Sequence, residues 1–416
     1  MQDTVVKNLE ERLKIKEFKL NSLLEITNSI NLNESVDSLR QIFEFIMKEQ
    51  LGFEKFALFN LQDEWTLLAK SGIKRKVKDI DVAEDLVRFK EITLIESSYK
   101  EALNDFDYVV PVNHKEKPLA FLLLKDFENK AEESLDKKPS AGAVKDLSFI
   151  QTLANIIVVA IENKRMAKIS LKQERLKKEL EVASEMQKLL FPQDLPSDKR
   201  IDLAATYKAR HEVGGDYYDF IPLNKNEFIV CIADVSGKGV SAAMLMANFQ
   251  ATIRTLLNYQ RCELDYLVQE LNKNVMNNAN GEKFITFFIA QYNAKTRKLK
   301  YINAGHNHPI LTNGRSAKFL DKGSIGLGML DELPFLEPDE IDIQPNSTLI
   351  LYTDGVVELE NKDNEQFETN RLIKLIHAFY PLKMEDLNNI IFSKLDEWRG
   401  AKQLVDDTAI LSCRIF

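Results

Sequence analysis

The chain has 416 residues, more than one hydrophobic core usually organises, so two or three domains of about 100 to 200 residues are expected. Its 44% hydrophobic and 29% charged residues are the balance of a soluble globular protein, and a formal net charge of −8 offers no general basic field to a nucleic-acid backbone or an anionic membrane surface. The opening Met1 to Lys14 is polar and charged, and the most apolar later run, Phe149 to Ile161, is broken by Gln151 and Asn155, so no export signal and no bilayer span is expected.

Leu9, Leu13, Leu20, Leu23, Thr27 and Ile30 follow one another at alternating three- and four-residue spacings, with Lys16 completing the row. This predicts an amphipathic helix able to self-associate, of which residues 1–22 form an N-terminal coiled coil. A second helix is expected between Val36 and Gly52. Strand-like pieces come next, at Lys55 to Leu61, Trp65 to Lys70, Tyr108 to Val112 and Leu119 to Lys125. A helix, a short mixed sheet and a closing helix make a compact sensory unit. Leu23-Leu24-Glu25-Ile26-Thr27-Asn28-Ser29-Ile30 and Gly52-Phe53-Glu54-Lys55-Phe56-Ala57-Leu58-Phe59 carry a resemblance to GAF domains, which implies a sensor over residues 23–165 that answers an unknown small-molecule or protein signal.

From Val144 to Leu190 there is neither proline nor glycine, and Ile169, Leu176, Ala183 and Leu190 recur every seven residues. Met166 and Leu180 supply part of a second seam, which Gln173 and Gln187 interrupt. One long helix is therefore expected, with residues 166–192 as a coiled-coil linker pairing two copies of the chain. Phe191-Pro192 ends it, because proline disfavours a helical residue before it. Beyond lies the last domain, 193–416. Strands are predicted at Ile201 to Tyr207, Tyr217 to Leu223, Glu227 to Asp234, Lys283 to Tyr292, Lys298 to Asn303, Ser347 to Thr353 and Thr408 to Ile415. Helices are predicted at Ser241 to Tyr259, Leu264 to Asn278, Asn370 to Tyr380 and Glu385 to Trp398. Cys231, Cys262 and Cys413 lie far apart, with no CxxC pair, which suits a reducing cytoplasm; Cys231 and Cys413 read as buried strand residues.

The chemistry is carried by aspartates. Asp216 stands in Gly214-Gly215-Asp216-Tyr217-Tyr218-Asp219, Asp234 in Ala233-Asp234-Val235-Ser236-Gly237-Lys238-Gly239, Asp354 in Tyr352-Thr353-Asp354-Gly355, and Asp406 with Asp407 just before the last strand. Singly, each has a plain reading. Asp354 before glycine is an ordinary turn former, Asp216 a helix cap, Asp234 the start of a loop, and Asp406-Asp407 a solvated strand entry. Apolar strands running straight into Asp234 and Asp354, however, place carboxylates at the edge of a sheet interior, where convergence without cations is costly. Oxygen-only ligands suit magnesium or manganese.

Those motifs, together with Asn303-Ala304-Gly305-His306-Asn307 and Leu351-Tyr352-Thr353-Asp354-Gly355-Val356-Val357-Glu358, resemble in order and spacing the SpoIIE/RsbU branch of the PPM (2C-type) phosphatases over about residues 180 to 416. The resemblance implies an α+β fold, an αββα sandwich, with two Mn2+ or Mg2+ ions at one edge. Asp234 is then expected to bridge both, Asp216 and the Val235 carbonyl to complete one site, and Asp354 with Asp406 or Asp407 to hold the other. It further implies hydrolysis of phosphoserine or phosphothreonine by metal-bound water, with no protein nucleophile, on a partner-switching protein such as a STAS-type anti-sigma-factor antagonist. Lys238, in a turn opening a helix, is a phosphate-binding candidate or a solvated lysine. Two departures stand out: Thr408 follows Asp407 directly where the family keeps threonine one place later, and His308-Pro309 replaces a more usual Pro-Pro. His306 and His308 read as packing residues before metal or acid groups. The rival readings are a phosphatase fold that binds without turnover and, on Gly214-Gly215-Asp216 alone, a diguanylate cyclase, which leaves the later motifs unexplained.

Overall fold

The computed structural model describes residues 2–73, 80–95, 103–114, 117–125, 141–260 and 263–416. The chain divides into two compact units, Met1–Glu174 and Arg175–Phe416.

The first unit is built on an antiparallel sheet of strand order β2-β1-β5-β4-β3, from β1 (Phe56–Leu61), β2 (Trp65–Ser71), β3 (Thr93–Leu94), β4 (Tyr108–His114) and β5 (Lys117–Leu124). Both faces are covered, so β1 and β5 are apolar almost throughout rather than alternating. Leu58, Leu122 and Leu124 turn to one face, against α1 (Gln2–Asn31), α2 (Val36–Phe45) and the Leu147 to Ile161 part of α4 (Ala141–Lys188). Ala57, Phe59, Phe121 and Leu123 turn to the other, where the short α3 (Val82–Asp85) packs. Ser35 caps α2, accepting from the Ser38 N–H at 3.0 Å, and a π-helical turn, Ile46–Gln50, extends that helix. In α1 the buried stripe is Ser22, Ile26 and Ser29, whereas Leu9, Leu13 and Leu20 of the expected seam are exposed. The run from Phe149 to Ile161 is a core helix: Ile150, Leu153, Ala154, Ile157 and Ile161 are buried at helical spacing. Among the described residues no helix is long and apolar enough to cross a membrane. Cys262 lies outside the described residues.

The second unit stacks two antiparallel sheets between two helical layers. One sheet runs β13-β10-β9-β8-β7, from β7 (Tyr217–Asn224), β8 (Glu227–Val235), β9 (Ile285–Asn293), β10 (Lys298–Ala304) and β13 (Gly323–Ser324), with β14 (Asp339–Asp342) beside β10; only the β10–β13 pair is parallel. The other runs β12-β11-β15-β16-β6, from β6 (Ile201–Lys208), β11 (Ile310–Thr312), β12 (Ala317–Phe319), β15 (Ser347–Tyr352) and β16 (Thr408–Ile415). Helices α5 (Val240–Gln260) and α6 (Leu264–Ala279) cover the first sheet. A single turn, α7 (Asp354–Val357), precedes α8 (Thr369–Ala378) and α9 (Met384–Arg399), and α9 lies on the second sheet. Every residue of β16 is buried because the strand is central: Ala409, Leu411 and Cys413 face the sandwich interior, and Ile410 faces the α8–α9 layer. On the same face as Ile410, Ser412 donates to Asn388 at 2.6 Å and Arg414 to Thr348 at 3.0 Å. Cys231 and Cys413 are buried free thiols. This is the expected αββα sandwich, with element ends within about three residues of those predicted. The strands missed are short ones, β11 to β14, too brief for periodicity to register.

Candidate active site

Strands β7, β8, β15 and β16 bring the predicted aspartates to one end of the sandwich. Asp216 immediately precedes β7, Asp234 is the penultimate residue of β8, Asp354 follows β15, and Asp406 and Asp407 precede β16. Asp354 is not in a β-turn. It begins α7 with Thr353 at the N-cap position, and Gly355 is required beside it because a Cβ there would stand 2.0 Å from the Asp407 carbonyl oxygen.

The carboxylates feel one another. Asp216, almost fully buried, is held well above the usual carboxylate range by burial, then by the charges of Asp234 and Asp407; the Thr353 hydroxyl, donating to it at 2.8 Å, works the other way. Asp234 is pushed up to about 7 by burial, then by Asp354, Asp406 and Asp407. Asp354 rises to about 6, through burial, then Glu358 and Asp406. Burial also raises Asp407, against the N–H groups of Arg210 and Gly215, which donate to its two oxygens at 2.8 and 2.7 Å. Asp406 instead pairs with Lys238 at 2.7 Å, and Lys238 also donates to the Val405 carbonyl at 3.0 Å. Among the described residues no ion pair reaches Asp216, Asp234 or Asp354. Lys238 sits half-exposed in a turn whose Gly237 and Gly239 adopt φ of +88° and +72°, conformations that favour glycine.

The donors at this end are all oxygen, and the protein offsets the negative charge there only in part, through Lys238, which suits a hard divalent cation. The Tyr207 hydroxyl, buried against Gly214 and Asp407, has no hydrogen-bond partner, a further polar atom left for hydrated ions to complete. Among the described residues, no three Asp, Glu, His or Cys side chains converge on one point. Protein ligation therefore fits the magnesium pattern of one or two carboxylates with the remaining positions filled by water.

His306 is not poised for chemistry. It is buried, its Nε2 donates to the Tyr352 carbonyl at 3.1 Å, and its Nδ1 therefore accepts from the Thr286 hydroxyl at 2.8 Å. Burial, chiefly, pulls it down to about 4, so the ring is neutral. His308 is exposed.

The roles of three residues escaped the sequence reading. Thr353 both donates to Asp216 and accepts from the Ala409 N–H at 2.9 Å, tying β15 to β16 under the site. Asp219 is fully buried in a bidentate pair with Arg254 of α5, both contacts 2.8 Å, and also accepts from Tyr217 at 2.5 Å. Only its place in the Asp216 motif hinted at a role. Gln187, expected to interrupt a coiled-coil seam, is buried instead, with its Nε2 donating to the Gly214 carbonyl at 2.7 Å and its Oε1 accepting from the Gly214 N–H at 3.1 Å.

Residues 224–416 match the family model of stage II sporulation protein E (SpoIIE). The solved SiaA-PP2C domain of Pseudomonas aeruginosa superposes with a TM-score of 0.54 at 19% identity, covering 59% of this chain and 99% of that one. The second unit thus has the fold of a PP2C domain and matches the SpoIIE family over residues 224–416. Phosphoserine phosphatase RsbU of Bacillus subtilis is 27% identical over 244 residues, 58% of this chain and 71% of its own length. Protein IcfG of Synechocystis is 28% identical over 260 residues, which is 56% of this chain and 41% of that protein. Over this unit the chain is thus similar to a named phosphoserine phosphatase and shares the fold of a solved PP2C domain.

Proposed function

We propose that this chain hydrolyses phosphoserine or phosphothreonine on a partner-switching protein of the STAS type, using two divalent cations, under the control of a GAF-like sensor spanning residues 23–165. The observation that carries the reading is the mutually repelling set of buried Asp216 and half-buried Asp234 and Asp354, none of them in an ion pair among the described residues, with only the Lys238 charge acting against the rise at Asp354. Asp216, Asp234, the Val235 carbonyl, Asp354 and Asp406 would hold the ions. Asp407 is better suited to positioning than to ligation, since both its oxygens already accept backbone N–H groups. When bound, the cations supply an activated water and neutralise charge developing on the phosphoryl group.

The chain's own residues do the rest. Lys238 offers a half-exposed ammonium at the rim for a phosphate oxygen, and the N-terminus of the long α5 helix, just beyond Gly239, favours negative charge. His306, neutral and bonded at both ring nitrogens, moves no proton; it holds β9 against the end of β15. The resemblance to the RsbU branch supports the partner-switching substrate, and the exposed Met166, Ile169 and Leu176 on α4 support a parallel homodimer. The test is release of phosphate from a phosphoserine-bearing STAS-type protein by the full chain with Mn2+, with Asp234→Asn as the control. Tight binding of the phosphoprotein without any release would favour the alternative, a phosphatase fold kept only for interaction.

A further inference from the structure

The last turn of α4 ends inside the catalytic unit. Phe191 is packed there against Tyr207 and Tyr218, ring centroids 5.2 and 4.8 Å apart, and the Leu190 carbonyl accepts from Gln250 of α5 at 3.2 Å. Gln187, one turn earlier, faces the loop that leads into β7. Its amide meets the Gly214 peptide unit as a matched pair, one N–H···O and one C=O···H–N contact, in a buried setting. The next residue, Gly215, donates its N–H to Asp407, and Asp216 follows. Gly214 is closed in from a third side, because a Cβ on it would stand 1.9 Å from the Tyr207 hydroxyl and 2.2 Å from Asp407 Oδ2. No residue but glycine fits that gap. The segment carrying Asp216 is therefore held by three groups from three elements, α4, β6 and the approach to β16, and only Gln187 among them bonds both polar groups of one peptide unit.

We propose that Gln187 is a positioning residue for this site: by clamping the Gly214 peptide it sets Asp216, so the end of α4 belongs to the catalytic apparatus. The inference rests on the reading of Asp216 as a cation ligand. Removing the amide leaves a buried N–H and C=O unsatisfied, and the loop relieves that only by moving, which displaces Asp216. The helix itself has no need of an amide at this place, since an unbranched apolar side chain of the same length satisfies helix propensity equally well.

The experiment compares the full-length wild type with Gln187→Met and with Ile415→Ala, a core change at the far end of β16 that lowers stability without touching the loop. Two quantities are read: amide hydrogen exchange of the segment 207–216 in EDTA, and Mn2+ binding by calorimetry. Gln187→Met is expected to speed exchange in that segment and to weaken Mn2+ binding about tenfold, equivalent to about 1.4 kcal/mol. Ile415→Ala should lower the melting temperature and leave both readouts unchanged. Unaltered exchange in Gln187→Met, or equal changes in both variants, overturns the proposal. A wild type that takes up no Mn2+ defeats the metal reading instead, and the exchange result then decides the clamp alone. Should Gln187→Met fail to fold, Gln187→Glu keeps the acceptor for the Gly214 N–H, loses the donor to its carbonyl when ionised, and carries the same comparison.

Discussion

Asp234→Asn should abolish turnover and yet stabilise the metal-free protein. Asp234 titrates at about 7 in the fold against 3.8 for an unperturbed aspartate, a difference of about 3 units at 1.36 kcal/mol each. A raised carboxyl pKa means that the native state binds this proton more tightly than the unfolded chain does. Wild-type stability without metal therefore falls as pH rises from about 4 through about 7, by up to about 4 kcal/mol, and the loss is complete above pH 7. Asparagine keeps the shape and an acceptor oxygen but lacks the charge, so it escapes that loss. Relaxation and the shared titration with Asp216 reduce the figure, and about 2 to 4 kcal/mol is expected at pH 8. The assay is urea unfolding in EDTA at pH 4.5 and pH 8. Trp65 and Trp398 are the only tryptophans and lie in different units, so a Trp65→Phe background leaves Trp398 to report on the catalytic unit. A variant no more stable than wild type at pH 8, or one that gains as much at pH 4.5, refutes the electrostatic argument. Mn2+ should reverse the order, raising the wild type by mass action and leaving the variant nearly unmoved.

Arg254→Met strands the buried Asp219 carboxylate and should cost about 3 kcal/mol in urea unfolding, whereas the double change Arg254→Met with Asp219→Leu should recover much of it. Because His306 is already neutral above about pH 4, the pH–rate profile of His306→Gln between pH 6 and 9 should be a scaled copy of the wild-type profile, and a lost limb would show that the ring exchanges a proton. The exposed Met166, Ile169 and Leu176 predict a dimer of the full chain in analytical ultracentrifugation that Leu176→Asp converts to monomer; a monomeric wild type at micromolar concentration would remove the coiled-coil reading. Gly214→Ala should lose both Mn2+ binding and stability, since its Cβ has no room beside Tyr207 and Asp407.

Much of this protein is written in local pattern. Alternation and burial on two faces make β8, β15 and β16 legible as apolar runs, and a carboxylate placed where such a run ends announces a charge at a sheet edge. The ordered aspartate motifs disclose the phosphatase domain without any coordinates. What local pattern does not contain is the identity of a side chain's distant partner. Gln187 reads as a flaw in a seven-residue repeat, because its spacing is visible in the chain and Gly214, 27 residues on, is not. Asp407 reads as one half of an ambiguous pair until the Arg210 and Gly215 N–H groups, 197 and 192 residues away, are seen to occupy its oxygens. His306 looks available until Thr286 and the Tyr352 carbonyl close on its ring. Hydrophobic periodicity reflects burial averaged over a face and so survives in one dimension. A hydrogen bond requires two particular atoms within about 3 Å at a suitable angle, and only the packed tertiary structure brings them there.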